Sequence, residues 1–127
     1  MALPTDLLYT EEHEWIRRES DNTLVVGITD YALEQLGDVV FLELPENNVT
    51  FDEGDSFGTI ESTKTVSDLY MPVSGKVVKI NQDLTENLEG LAKDPYQKGW
   101  LIKIQADSEA TGLLTSAEYT SFISEIE

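Results

Sequence analysis

Lys64 stands inside Ile60-Glu61-Ser62-Thr63-Lys64-Thr65-Val66-Ser67-Asp68-Leu69, between two short alternating apolar runs, with Gly54 ten residues before it and Gly75 eleven after. That layout predicts a lysine displayed on the tip of a hairpin. A lysine amine of ordinary pKa, about 10.4, is a poor nucleophile at neutral pH unless burial or neighbouring cations depress it. The sequence neighbours of Lys64 include Glu61 and Asp68, which supply neither condition and disfavour Schiff-base catalysis. Acylation would instead remove the charge and turn the side chain into a tether, and a displayed lysine is what a modifying enzyme can reach.

The rest of the chain is poor in reactive groups. It has no cysteine, which excludes disulfides, thiol nucleophiles and thiolate metal sites. Its one histidine, His13, lies between Glu12 and Glu14 and next to Trp15, and reads as a structural residue at the edge of the core rather than a general base. Metal binding through Glu11, Glu12, His13 and Glu14 is disfavoured, because consecutive residues of an extended segment point to opposite faces. No glycine-rich loop is present to cradle a phosphate, and Gly27, Gly37, Gly58 and Gly75 read as backbone residues at turns or strand ends. Neither a catalytic nor a metal site is predicted.

The elements that must position Lys64 are mostly strands. Trp15 to Arg18 and Thr23 to Val26 flank Ser20-Asp21-Asn22 and predict a β-hairpin. Thr29 or Asp30 can cap a short helix through Leu36, ended by Gly37. Residues 38–44 alternate as a strand with Val40, Leu42 and Leu44 on one face, stopped by Pro45. Residues 57–62 and 75–80 make two more strands around Lys64. Residues 81–92 read as a loop with a turn or two of helix, followed by Asp94-Pro95. Trp100, Ile102 and Ile104 alternate with Leu101, Lys103 and Gln105 as a strand with one mostly apolar face. Thr115 and Glu118 have capping-box spacing at the start of a last helix carrying Tyr119, Phe122, Ile123 and Ile126. Many short strands and few helices predict a mainly antiparallel β-sandwich or flattened barrel.

Length and charge set the outer bounds. A chain of 127 residues fits one domain, expected over residues 1–127, and buries roughly 65–70% of its extended surface without staples. Eight basic against 25 acidic residues give a net charge of −17, which repels nucleic acid and anionic lipid alike, so neither is an expected partner. Such charge serves solubility, and it also steers encounter with basic protein surfaces. Met1 to Asp6 are too short and acidic for a targeting peptide, and no apolar run approaches the 18 or so residues of a membrane span. A cytoplasmic protein is expected, or one of the mitochondrial matrix if a transit segment has been removed.

The segment Glu61-Ser62-Thr63-Lys64-Thr65-Val66-Ser67-Asp68 resembles the lipoyl-lysine site of the glycine cleavage system H protein family, which typically shows Glu-Ser-Val-Lys-Ala-x-Ser-Asp. The similarity continues, in order, through Tyr9 to Trp15, Val26 to Ala32, Leu36 to Phe41, Glu43-Leu44-Pro45, Pro72 to Gly75, Asp94-Pro95-Tyr96 and Gly99 to Ile104. Thr63 and Thr65 depart from the usual small apolar neighbours of the lysine, and Leu88, Gln97 and Lys98 depart in the loop before Trp100.

The resemblance implies a barrel-sandwich hybrid fold of the lipoyl/biotinyl-carrier (hammerhead) type, with short helices and a C-terminal helix. It implies a carrier with no enzymatic activity, bearing lipoate on Lys64 after the action of lipoate-attaching enzymes. A PLP-dependent glycine decarboxylase would load an aminomethyl group. A tetrahydrofolate-dependent aminomethyltransferase would take the one-carbon unit, and dihydrolipoyl dehydrogenase would reoxidise the dithiol. About eleven bonds from the lysine Cα to the dithiolane ring give a reach of roughly 14 Å. Glu14 and Asp68 map onto positions beside the loaded arm, with Glu12 a third candidate, so that carboxylates would hold a cationic cargo. The alternatives are a relay passing lipoyl groups to 2-oxoacid dehydrogenase subunits, biotin carriage, whose usual flanking methionines are replaced here by Thr63 and Thr65, and a non-carrier acidic interaction module around a solvated surface lysine.

Overall fold

The computed structural model describes residues 4–19, 22–107 and 112–126. Strands β1 (Leu8–Tyr9), β2 (Glu14–Arg18) and β3 (Thr23–Ile28) lead into helix α1 (Asp30–Leu36), followed by β4 (Val39–Glu43) and β5 (Thr50–Phe51). Next come β6 (Ser56–Ser62), β7 (Val66–Tyr70) and β8 (Gly75–Ile80), short helices α2 (Gln82–Glu86) and α3 (Glu89–Lys93), β9 (Trp100–Ala106) and helix α4 (Ser116–Ile126). They form a six-stranded sheet, order β1-β2-β3-β9-β8-β5, and a three-stranded sheet, order β4-β6-β7. Mainly β architecture with short helices and a C-terminal helix is the class expected from the sequence and accords with a lipoyl/biotinyl-carrier fold.

Strand alternation builds two apolar clusters from the same residues. On β3, Leu24, Val26 and Ile28 join the main core, which also takes Leu42 and Ile60 from the smaller sheet. Val25 points the other way, into a second cluster with Tyr9, Trp15 and Tyr119, against which Phe122 and Ile123 of α4 also pack. Each such aliphatic side chain, fully buried, contributes about 1.5–3 kcal/mol. Gly27 has no alternative in this layer, since a Cβ there would fall 2.3 Å from the Trp15 indole. The indole is also fixed by its Nε1–H, which donates to the Pro95 carbonyl at 2.9 Å.

The predicted caps form. Thr29 caps α1, its hydroxyl accepting from Ala32 N–H, and Gly37 ends the helix at φ 82°, its N–H donating to the Leu33 carbonyl. Thr115 and Glu118 bond reciprocally at 2.9 and 3.2 Å, a complete capping box ahead of α4. The first hairpin forms between β2 and β3 as expected. Of its turn, Ser20 and Asp21 lie outside the described residues, and Asn22 takes a left-handed φ of 61°.

Three expectations need correction. Val40 does not share a face with Leu42, because the β4–β6 register shifts between Val39 and Phe41 and leaves Val40 54% exposed while Val39 packs on the core. The strand after Lys64 is β7, paired with β6, whereas Gly75–Ile80 belongs to the other sheet. Residues 81–92 hold all of α2 and most of α3, the short helical turns that were expected there. Both Leu101 and Ile102 are buried, because Gly27 pairs with Trp100 and Val26 with Ile102, leaving Leu101 as an extra residue that breaks the alternation.

Candidate functional site

The tip between β6 and β7 is organised by one hydroxyl. Ser62, nearly buried, accepts at Oγ from the backbone N–H of Lys64 at 3.1 Å and of Thr65 at 3.2 Å. Ser62 N–H donates to the Thr65 carbonyl at 2.8 Å, and Thr63 N–H donates to the Asp38 carbonyl at 3.0 Å, tying the tip to the chain just after α1. Lys64 itself is exposed, as are Thr63 and Thr65. Its aliphatic stem lies over the end of α1, with Cε 3.5 Å and Nζ 3.8 Å from where a Cβ on Gly37 would be. A Cβ at position 37 would make only ordinary van der Waals contact with the lysine stem, so what a side chain there would strain is the left-handed backbone.

Along α1, beginning at Leu36, the residue before Gly37, runs a cleft of about 330 Å³. One wall is Glu12, His13 and Glu14. Tyr31 and Gln35 of α1 form another, Ser67 and Asp68 of β7 a third, and the apolar Ile28, Ile60 and Leu69 also line it. Glu12, Glu14 and Asp68, drawn from two distant stretches of sequence, thus share one cavity with its end beside Lys64. Their environments differ. Glu12 and Asp68 are exposed, and the Asp68 carboxylate sits 3.4 Å from the Ser56 hydroxyl.

Glu14 is 3% exposed, and its Oε2 accepts from Tyr70 N–H at 2.8 Å. Burial pushes its carboxyl up to about 8, the Tyr70 hydrogen bond opposing this and the Glu12 charge adding to it. The group is therefore mostly protonated at neutral pH in the absence of a cation. Its second oxygen makes no hydrogen bond among the described residues. Since no buried polar side-chain atom among them lacks a partner, that oxygen reaches open space, and Glu14 borders the cleft.

His13, Tyr31, Gln35 and Ser67 are cleft residues that sequence reasoning missed. The alternation argument placed Glu12, His13 and Glu14 on opposite faces, yet all three line the cleft, because His13 takes a left-handed φ of 67°. The turn that imposes it is built on Thr10, whose carbonyl accepts from His13 N–H and whose hydroxyl accepts from Glu14 N–H. A threonine four residues before a buried glutamate was the available signal, and it is a weak one. No group of three His, Cys, Asp or Glu among the described residues is arranged to hold a metal ion.

A family model for "Glycine cleavage H-protein" matches residues 7–126. The chain is 54% identical over 121 residues to the glycine cleavage system H protein of Listeria innocua, covering 94% of this chain and 96% of that one. It is 53% identical, with the same coverage, to the H protein of Listeria welshimeri. The crystal structure of a glycine cleavage system H protein from Mycobacterium marinum superposes with a TM-score of 0.91 at 42% identity, covering 96% of this chain and 99% of the other. With the family model spanning nearly the whole chain and the fold reproduced at this level, the chain belongs to the glycine cleavage H-protein family, whose members are carriers and not catalysts.

Proposed function

We propose that the protein carries lipoate in amide linkage on Lys64 and shuttles an aminomethyl group from a PLP-dependent glycine decarboxylase to a tetrahydrofolate-dependent aminomethyltransferase. Dihydrolipoyl dehydrogenase would then restore the disulfide. The observation that carries the reading is the exposed Lys64 on a pinned hairpin tip, its stem lying at one end of a cleft that contains a buried carboxyl. When bound, lipoate supplies the redox-active sulfur pair that accepts the cargo and is later reoxidised.

The residues present suit such a group. The apolar side chains of Ile28, Leu36, Ile60 and Leu69 give a hydrocarbon arm a surface to lie on. Glu14, largely neutral in the empty cleft, gains a partner when a cationic cargo arrives. The cation favours the carboxylate, so Glu14 gives up its proton as the cargo seats, and the charge-assisted contact forms away from bulk water. The burial of Glu14 would shield a cargo held against it from bulk water and so slow its hydrolytic loss.

Peptide mapping of protein from lipoylating cells tests the attachment. The adduct is expected on Lys64 alone, and Lys64→Arg is expected to fold normally, remain unmodified and carry nothing. An adduct on Lys76, Lys79 or any other lysine would overturn the reading.

A further inference from the structure

The ring of His13 is held by a chain of hydroxyl groups whose direction can be deduced. Thr29 is completely buried, and its Oγ1 has two neighbours, Ala32 N–H at 3.3 Å and the Tyr119 hydroxyl at 2.8 Å. Ala32 N–H is a donor, so the Thr29 proton has one acceptor available, Tyr119 Oη. Tyr119 is also completely buried, and its own proton must then go to the remaining neighbour, His13 Nδ1 at 2.8 Å. An Nδ1 that accepts leaves the neutral ring's proton on Nε2. The reverse orientation would strand the Thr29 proton without an acceptor in the core, which costs about 1–3 kcal/mol.

Nε2 makes no hydrogen bond among the described residues, and no buried polar side-chain atom among them is unpartnered, so Nε2 reaches open space. His13 is one of the residues lining the cleft, and its ring tilts against Tyr31 at 5.0 Å between centroids. Burial lowers the pKa of the ring, with the Glu12 charge opposing this. Titratable groups face it from every side: Glu12 and Glu14 on its own segment, Tyr31 on α1, Asp68 across the cleft on β7, and Tyr119 on α4, itself near Asp30. Protonating Nδ1 would confront the Tyr119 donor and reverse the whole chain.

Arm length fixes what reaches this wall. Helix α1, seven residues or about 10 Å long, separates Gly37 from the Tyr31 end. Seven bonds from the lysine nitrogen to the nearer lipoyl sulfur span roughly 9 Å when extended. Resting on the carrier reading above, we propose that His13 is a positioning residue of the cleft. The Thr29–Tyr119 chain holds its proton on Nε2, so that a neutral N–H donor meets the sulfur end of the arm, and the cation of the cargo is left to the carboxylates.

The chain has a single histidine, so its imidazole signals need no assignment. Nitrogen-15 NMR of unmodified protein is expected to show one tautomer, with a pyridine-like Nδ1 and a pyrrole-like Nε2, between about pH 6 and 8, and a titration midpoint below the ordinary 6.5 or so. Tyr119→Phe is expected to give a tautomer mixture and return the midpoint toward that value, while Thr29→Ser, which keeps the hydroxyl, leaves both unchanged. An Nδ1–H tautomer or a mixture in the wild type overturns the proposal, whether or not Tyr119→Phe folds. Lipoylation is expected to shift the Nε2–H signal. An adduct at Lys64 with unmoved imidazole signals overturns the arm contact alone, whereas no adduct at Lys64 overturns the carrier reading and the arm contact together.

Discussion

Two residues of the cleft, adjacent in sequence, respond to pH in opposite senses. The Glu14 carboxyl is raised from 4.5 to about 8 in the fold. Between those values the folded state keeps a proton that the unfolded chain has lost. The stability Glu14 contributes is therefore fully present below about 4.5 and is lost as pH rises through 8. Glu14→Gln retains an acceptor for Tyr70 N–H and removes the ionisation. Its stability relative to wild type is expected to grow by about 2–3 kcal/mol from about pH 6 to 9, measured by denaturant unfolding. A difference independent of pH would show that the carboxyl ionises freely. The same variant lacks the anion that would face a cationic cargo. Formaldehyde or ammonia release from the loaded carrier, without partners, should quicken more than in Asp68→Ala, whose carboxylate is exposed and shared with Ser56. His13, its pKa lowered by burial, acts the other way. As pH falls below about 6.5 the unfolded chain takes up the proton first, and stability drops.

Among the elements, the β6–β7 hairpin depends most visibly on one side chain. Ser62→Ala removes the acceptor for two N–H groups at the tip, a loss of about 1–2 kcal/mol confined to the turn. Amide exchange at Lys64 and Thr65 is expected to quicken while that of β3 stays unchanged, and equal protection in the variant would mean that backbone bonds alone hold the tip. The lysine-bearing tip, though not its second strand β7, was legible in the sequence, as were both caps of α1 and the capping box of α4, because each depends on residues within a few positions of one another. The bulges at Val40 and Leu101 were not legible, since an extra residue in a strand is defined by the partner it fails to pair with. The cleft was half legible. Resemblance brought Glu12, Glu14 and Asp68 together, but the left-handed turn at His13, which aims that segment inward, leaves almost no mark in local composition. Tyr31 and Gln35 were hidden for another reason: a cap and an apolar pattern predict that α1 exists, not which cavity its polar side meets.

At the scale of the molecule, a net charge of −17 lies on a β-rich body whose only described ion pairs are Lys93–Glu89 and Lys103–Glu19. Acylating Lys64 moves the basic count from 8 to 7 against 25 acids, hence from −17 to −18, a minor change in the field. Association with partner enzymes is therefore expected to slow with salt to a similar degree whether or not the arm is present. Stopped-flow traces without ionic-strength dependence would remove electrostatic steering from the account. The bond from Thr63 N–H to the Asp38 carbonyl has a consequence at this scale too. It anchors the base of the arm to the body, so the hairpin acts as a fixed pivot and the freedom to move belongs to the side chain and what it bears. A group confined within roughly 14 Å of that pivot is present at an effective concentration on the order of 0.1 M. A docked enzyme whose entrance lies inside that radius meets its substrate at this concentration however dilute the carrier is, and one whose entrance lies outside it meets none.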